Sequence, residues 1–394
     1  MDRTLNGVVV VDAVRTAFGR AGEKGIFWNT RADDLIVPLL KALMQRNPKI
    51  TPNMIEDNIW GVTNQVKEQG GTIGRAVSML ADWGYEIPGC SIDRMCAGGL
   101  SAVGFAAATV ASGMADCLIA GGVEHMGHLP MGFMRDPHPR LEDVMGGPSA
   151  FNMGLTAENL HERFPEFTRE MADRYAERCQ ENADLAIQAG KMKDMVIPME
   201  VEMADGTRIL ADQDQPPRPG TTLEGLGNLK TPFKEDGNVT AGNASGLNDG
   251  ASAVLIMNEG KARELGIRPK MRWVSSGVAA VDPTIMGIAP VPATEKALKK
   301  AGLTMADLDL VEINEAFAVQ ALYFMDRMGI DWDDGRVNRW GGSIAYGHPL
   351  AASGPRLVAF LAGLFKENPE AKYGLTTMCV GRGQGYSMIW ENLG

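Results

Sequence analysis

Apolar positions in the first 120 residues form short continuous runs that alternate with stretches of helical spacing. The run GVVVVDA, positions 7–13, is apolar on consecutive residues and reads as a strand buried on both faces. Asp33 to Met44 repeats its apolar residues at helical intervals and predicts a helix. Asp57 to Val62 reads as a second strand and Ala115 to Gly122 as a third, the latter after a helix of small residues. This alternation predicts a sheet with helices on its faces. From about Glu124 to Gly242 the pattern breaks into Met-, Pro-, His- and charge-rich segments such as HLPMGFMRDPHPRLEDVMGG. One helix is expected there, at about 168–189, and the segment reads as a large insertion whose loops cover a site. Alternation resumes near Asn248. GASAVLIMN reads as a helix-to-strand passage, MRWVSSGVAAV as a strand, Pro292 to Ala301 as a helix and Leu308 to Asn314 as a strand. Leu357 to Phe365 reads as a helix, with Gly374 to Met378 and Tyr386 to Trp390 as the last strands. The order glycine turn, small-residue helix, strand occurs at 91–122 and again at 341–381, which predicts an internal duplication.

Length adds domain count: 394 residues suit two or three domains. A net charge of −11 argues against a nucleic-acid partner but leaves room for an anionic ligand in a local basic pocket. The five cysteines are odd in number and contain no CxxC pair, so neither a disulfide framework nor a zinc site is expected. His125 and His128 lack a third ligand at metal spacing, and no metal is expected. No apolar run nears the roughly 20 residues of a membrane helix. MDRTLNGVVVVDAVRT lacks a signal-peptide pattern and WENLG lacks a retention tripeptide. A cytoplasmic protein is the expectation.

Four positions carry candidate chemistry. Cys96 precedes Ala97, Gly98 and Gly99, where a helix N-terminus lowers a thiol's pKa and sharpens a nucleophile. A buried, inert cysteine is the alternative. His348 in YGHPLAASG stands between a glycine turn and Pro349, a helix-start residue. Cys379 ends a strand before alternate glycines, whose bare N–H groups suit an oxyanion hole. GRGQG lacks dinucleotide-loop spacing. Asn314 in EINEAFA follows an apolar strand and can hold a water or carbonyl, or cap a helix.

The set VRTAFGR, DRMCAGGL, GGVEHMGH, MGLTAENL, NVTAGNASGLNDGA, INEAFA, GGSIAYGHPLAASG and TTMCVGRGQG, in this order over nearly the whole chain, resembles the thiolase family. GGVEHMGHLPM and DPTIMGIAPVPA look closest to its degradative 3-ketoacyl-CoA members, those that serve as subunits of bacterial fatty-acid oxidation complexes. The resemblance implies an α/β thiolase fold: two duplicated α/β halves in a five-layer αβαβα core, with a loop domain inserted in the first half. It divides the chain into 1–123, a loop domain at 124–242, the rest of the first half at 243–268, and the second half at 269–394. It implies CoA-dependent cleavage of a 3-ketoacyl-CoA, without metal or redox cofactor. Cys96 is the acylated nucleophile and Cys379 the acid and base. His348 activates Cys96 and, with a water held by Asn314, forms one oxyanion hole. The N–H groups of Cys96 and Gly381 form the other. Ser245, Arg218, Phe233, Met153, Ala241 and Phe317 match coenzyme A contacts. A homodimer or homotetramer is implied, with a hydratase–dehydrogenase subunit as a further partner.

The chain departs from the family pattern at four places. Gly98 replaces a frequent Ser, Ala351 and Ala352 replace Gly-Cys, Arg382 stands where Leu, Ile or Gly is common, and Tyr346 replaces an aliphatic residue. Competing readings are a biosynthetic acetoacetyl-CoA thiolase, a thiolase for aromatic or branched acyl groups, a ketoacyl synthase, and a non-catalytic acyl-CoA-binding homologue. Cys379 argues against the synthase. The joint presence of Cys96, His348 and Cys379 argues against the binding homologue.

Overall fold

The computed structural model describes residues 5–394; residues 1–4, which open the first half and the segment read for a signal peptide, lie outside them. The first half contributes β1 (Val8–Arg15), β2 (Gly19–Arg20), β3 (Asp57–Gly61), β4 (Cys90–Ile92) and β5 (Cys117–His125). The inserted segment holds a small hairpin, β6 (Met199–Glu202) and β7 (Arg208–Ala211), and β8 (Asn248–Asn258) follows it. The second half contributes β9 (Met271–Ala280), β10 (Leu310–Ile313), β11 (Tyr373–Val380) and β12 (Gln384–Asn392).

The duplication is visible in strand order. β1 pairs antiparallel with β8, β8 antiparallel with β5, and β5 parallel with β3. β9, β12, β11 and β10 repeat those pairings with the same senses. β4 lies parallel beside β3, and in the second half an isolated parallel bridge from Val337 to Val311 holds the equivalent place. Val9 opposite Arg272 and Val10 opposite Met271 join the halves.

The helices Gly98–Ala111 and Ser353–Glu367 pack on each other between the two halves' strands. Ala32–Arg46 and Ile73–Leu80 cover the outside of the first half, and Pro290–Ala301 the outside of the second. That makes five layers. All eight residues of β1 are buried, which explains its unbroken apolar run. The central helices approach backbone to backbone at glycines. A Cβ on Gly354 would fall 2.6 Å from Leu100 Cβ, and one on Gly99 would fall 2.2 Å from the Ala351 carbonyl oxygen.

Two expectations change. GASAVLIMN is strand throughout, the interior of β8. β1 and β5 flank it on both sides and it is buried almost end to end, so it shows no alternation that would separate it from a buried helix. The insertion holds the expected helix, Arg169–Gln188, a second long one, Met153–Arg163, and single turns at Leu141–Val144 and Leu223–Gly227.

Candidate active site

Cys96 sits in a single turn, Met95–Ala97, that feeds the central helix. Met95 adopts the left-handed region at φ 46°, rare for a side-chain-bearing residue, and its N–H donates to Asp93 Oδ1 at 2.6 Å. The strained turn fixes the thiol's direction. The thiol is buried, and this overturns the expected lowering of its pKa. Burial pushes it up to about 11, against the pull of the Gly381 and Cys96 N–H groups that face the sulfur. The helix terminus does not outweigh loss of water.

His348 follows Gly347, whose φ of 92° and approach to Asn248 exclude a side chain: a Cβ there would fall 2.3 Å from Asn248 Oδ1. Asn248 Oδ1 accepts the His348 N–H at 2.9 Å, and its Nδ2 donates to the Gly19 carbonyl at 2.9 Å. The imidazole Nδ1 lies 2.6 Å from Ser353 Oγ, and Nε2 lies 3.4 Å from Asn314 Nδ2. An amide nitrogen only donates, so Nε2 is the bare nitrogen and Nδ1–H donates to Ser353. Burial, and after it the Arg356 charge, pushes the His348 pKa down to about 3. The ring is therefore a neutral base at physiological pH. Pro349 does not start the helix. A tight turn at Leu350–Ala352 intervenes, and Ser353 is the first helical residue.

Cys379 lies at the end of β11, opposite Gly385. Burial, with proximity to Cys96 second, pushes its thiol well above the ordinary range. The Met95–Ala97 turn packs against β11 and against Leu350–Ala352, which brings both cysteines and the histidine loop together. A Cβ on Gly381 would fall 2.8 Å from Met95 Cε and 3.5 Å from Met153 Sδ, so Met153 borders the same point. Asn314 follows β10 and is fully buried. It caps no helix, because the next helix begins at Ala318. Its Oδ1 accepts from Ser343 Oγ at 2.6 Å. Arg382 is exposed at φ 63°.

A cavity of about 220 Å³ opens beside the site, lined among others by Arg20, Gln180, Arg218, Ala241, Asn248 and Ile344, with no carboxylate in its lining. Arg218 and Ala241 were expected in a coenzyme A cleft. Ser245 lies between the lining residues Ala244 and Gly246, with its N–H on the Ala316 carbonyl at 3.0 Å. Phe317 is buried opposite Ala244 through a backbone bridge. Met153 and Phe233 are not in this cavity. Phe233 packs on Gly154 next to Met153. The residues missed by sequence reading are Asn248, Ser343 and Arg20, whose partners are remote in the chain.

Glu68 joins His125 and His128 in a cluster whose potential ligand atoms lie within 4.8 Å of one another. Every ring nitrogen already has a hydrogen-bonding partner. His125 Nε2 meets the Phe27 carbonyl at 3.0 Å and Nδ1 the His128 N–H at 3.0 Å. His128 reaches Glu68 at 3.0 Å and the Trp28 carbonyl at 2.6 Å. The cluster ties the start of the insertion to the first half.

A duplicated α/β fold that brings Cys96, His348 and Cys379 together has the make-up of a thiolase, and the chain belongs to that family. Residues 8–260 match the thiolase N-terminal domain and residues 267–392 the thiolase C-terminal domain. The 3-ketoacyl-CoA thiolase of Vibrio vulnificus (strain CMCP6) is 44% identical over 98% of this chain and 100% of its own length. That of Pseudoalteromonas translucida (strain TAC 125) is 43% identical over 99% and 100%. Human mitochondrial 3-ketoacyl-CoA thiolase superposes with a TM-score of 0.88 at 34% identity, covering 99% of this chain and 100% of that one. The Bacillus anthracis acetyl-CoA acetyltransferase gives 0.88 at 34% identity, covering 99% of each.

Proposed function

We propose that the protein is a 3-ketoacyl-CoA thiolase, an acyltransferase that cleaves 3-ketoacyl-CoA with coenzyme A to acetyl-CoA and a shortened acyl-CoA in fatty-acid β-oxidation. The carrying observation is geometric: His348, its Nδ1 on Ser353 and its Nε2 bare, precedes the 350–352 turn that packs on the Cys96 turn, which in turn packs on the strand of Cys379. In this scheme Nε2 takes the Cys96 proton as the sulfur attacks C3 of the substrate. The C2–C3 bond breaks, the electron pair goes to an acetyl-CoA enolate, and Cys379 gives that carbanion its proton. The protonated Nε2, with a water on Asn314, donates to the enolate oxygen. The Cys96 and Gly381 N–H groups stabilise the oxyanion at the attacked carbon. Incoming coenzyme A returns a proton to Cys379, its thiolate takes the acyl group, and His348 reprotonates Cys96. Protons and electrons balance through two covalent steps, with no metal or redox group needed.

Coenzyme A enters past Arg218, Ala241, Ser245 and Phe317, with Met153 and Phe233 flanking the path. The carboxylate-free cavity with two arginines supports an anionic ligand. Among the described residues no helix is long and apolar enough to cross a membrane. Five free thiols support the cytoplasm. β4 ends the sheet, and an edge strand there supports a homodimer or homotetramer, with a hydratase–dehydrogenase subunit as a further partner.

Intact mass after mixing with acetoacetyl-CoA, a long-chain and an aromatic 3-ketoacyl-CoA tests the reading. An acyl adduct mapped to Cys96 and discharged by coenzyme A is expected. A folded, reduced protein with no adduct from any of them overturns it in favour of an acyl-CoA-binding homologue.

A further inference from the structure

Asn314 can serve the site only if its amide nitrogen, not its oxygen, faces His348. The two ends of an amide have nearly the same shape, so packing alone does not choose between them. Behind Asn314 stands a fully buried chain of hydrogen bonds. Arg356 Nη2 donates to Ser343 Oγ at 2.9 Å, and Ser343 Oγ donates to Asn314 Oδ1 at 2.6 Å. Arg356 and Ser343 are both 0% exposed.

We infer that Arg356 and Ser343 are positioning residues that set the polarity of the Asn314 amide and so keep a donor aimed at the enolate site. The logic is that of donor counts. A guanidinium has no acceptor, so Ser343 Oγ must accept from it. The single hydroxyl proton is then directed to Asn314, which must present its oxygen. Nδ2 is left facing His348, 3.4 Å from Nε2. The commitment of the arginine supports this role. Nε and Nη1 have no hydrogen-bond partner, and the one bond of this buried cation goes to Ser343. The buried acid Glu312 likewise has both oxygens without a hydrogen-bond partner, so it takes none of the guanidinium's donors. The Phe360 ring, 4.8 Å from the guanidinium, holds it in place.

This inference rests on the thiolase reading, and the test separates the two. Exchange of labelled coenzyme A with acetyl-CoA passes through acyl-Cys96 without an enolate, whereas cleavage of acetoacetyl-CoA forms one. Ser343→Ala is expected to slow cleavage roughly 10- to 100-fold with KM unchanged, while exchange stays within about two-fold. Ser343→Cys, which keeps a weak donor, is expected to show the same split in smaller degree. It carries the test if the alanine variant does not fold. A Ser343 variant that loses both reactions equally, or neither, in a background of active wild type overturns the relay alone. A wild type inert in both reactions overturns the thiolase reading and the relay with it.

Discussion

Gly98, the first residue of one central helix, faces Ala351, in the tight turn that leads into the other. A Cβ built on Gly98 falls 3.2 Å from the Ala351 Cβ and 3.3 Å from Gly61 Cα. Both are departures from the family pattern visible in the sequence, Gly98 for Ser and Ala351 for Gly. Here the larger residue has changed sides. Ala351 cannot retreat, because its carbonyl oxygen lies 2.2 Å from the place of a Cβ on Gly99 and 2.0 Å from that of one on Gly122.

The two departures are therefore expected to be coupled. Gly98→Ser alone should cost about 1–3 kcal/mol by overpacking. Ala351→Gly alone should cost about 0.5–1 kcal/mol through backbone entropy. The double variant should recover about 0.5–3 kcal/mol relative to the sum. Urea unfolding of the four proteins measures this. Costs that add within about 0.5 kcal/mol would sink the pairing.

The resting state of Cys96 gives the second prediction. A thiol pushed up to about 11 by burial carries little thiolate at neutral pH. Its alkylation by iodoacetamide at pH 7 should be on the order of 100-fold slower than that of an exposed thiol, and the rate should climb towards pH 11. A plateau near pH 8 would instead show that His348 has already drawn the proton in the resting enzyme.

The positions of Cys96, His348, Cys379 and Asn314 were legible because each follows or precedes a glycine or an apolar strand end, where side chains project from a sheet edge. Their electrostatics were not. The helix N-terminus at Cys96 is a local signal, and the desolvation that outweighs it comes from β11 and the 350–352 turn, far away in sequence. The Asn248 support of His348 spans 100 residues, and no spacing rule reaches that far. Met153–Arg163 was missed for a different reason. Its sequence has a glycine in the first turn and lacks a clear stripe, although Asn152, which accepts from the Gly154 and Leu155 N–H groups, was a readable cap. The duplication was legible as a repeated order, while the match of strand pairings needed the sheet itself.

Replacing Cys379 tests the division of labour between the two thiols. Cys379→Ala is expected to lower acetoacetyl-CoA cleavage by about 10²–10⁴-fold, the range for loss of a general acid. Transfer from acetyl-CoA to Cys96 should still be detectable by mass on long incubation. Loss of all labelling at Cys96, in a variant of unchanged melting temperature, would contradict the assignment of Cys379 to proton transfer.

Arg218 lines the cavity with no acid beside it. Removing it should weaken recognition of the phosphorylated end of coenzyme A and leave the thioester end alone. Arg218→Ala should raise the KM for acetoacetyl-CoA roughly 10-fold or more, as expected for a lost charged hydrogen bond. The KM for an acetoacetyl-pantetheine thioester, which lacks the nucleotide, should not change. An equal rise for both would place Arg218 elsewhere in the path.

Glu312 gives a stability prediction whose sign depends on pH. Both carboxylate oxygens are buried without hydrogen-bond partners, and burial holds the folded pKa up at about 8. The folded protein keeps this proton while the unfolded chain releases it near pH 4.5. The group's contribution is therefore full below about pH 4.5 and is lost as pH rises through about 8. Glu312→Gln copies the protonated form at every pH. Its melting temperature should lie close to that of the wild type at pH 4.5. The variant should then gain on the wild type steadily up to about pH 8, with a constant gap above it. A wild type that instead gains on the variant as pH rises would mean that Arg356 holds Glu312 ionised in the folded protein, a paired core charge instead of a neutral acid.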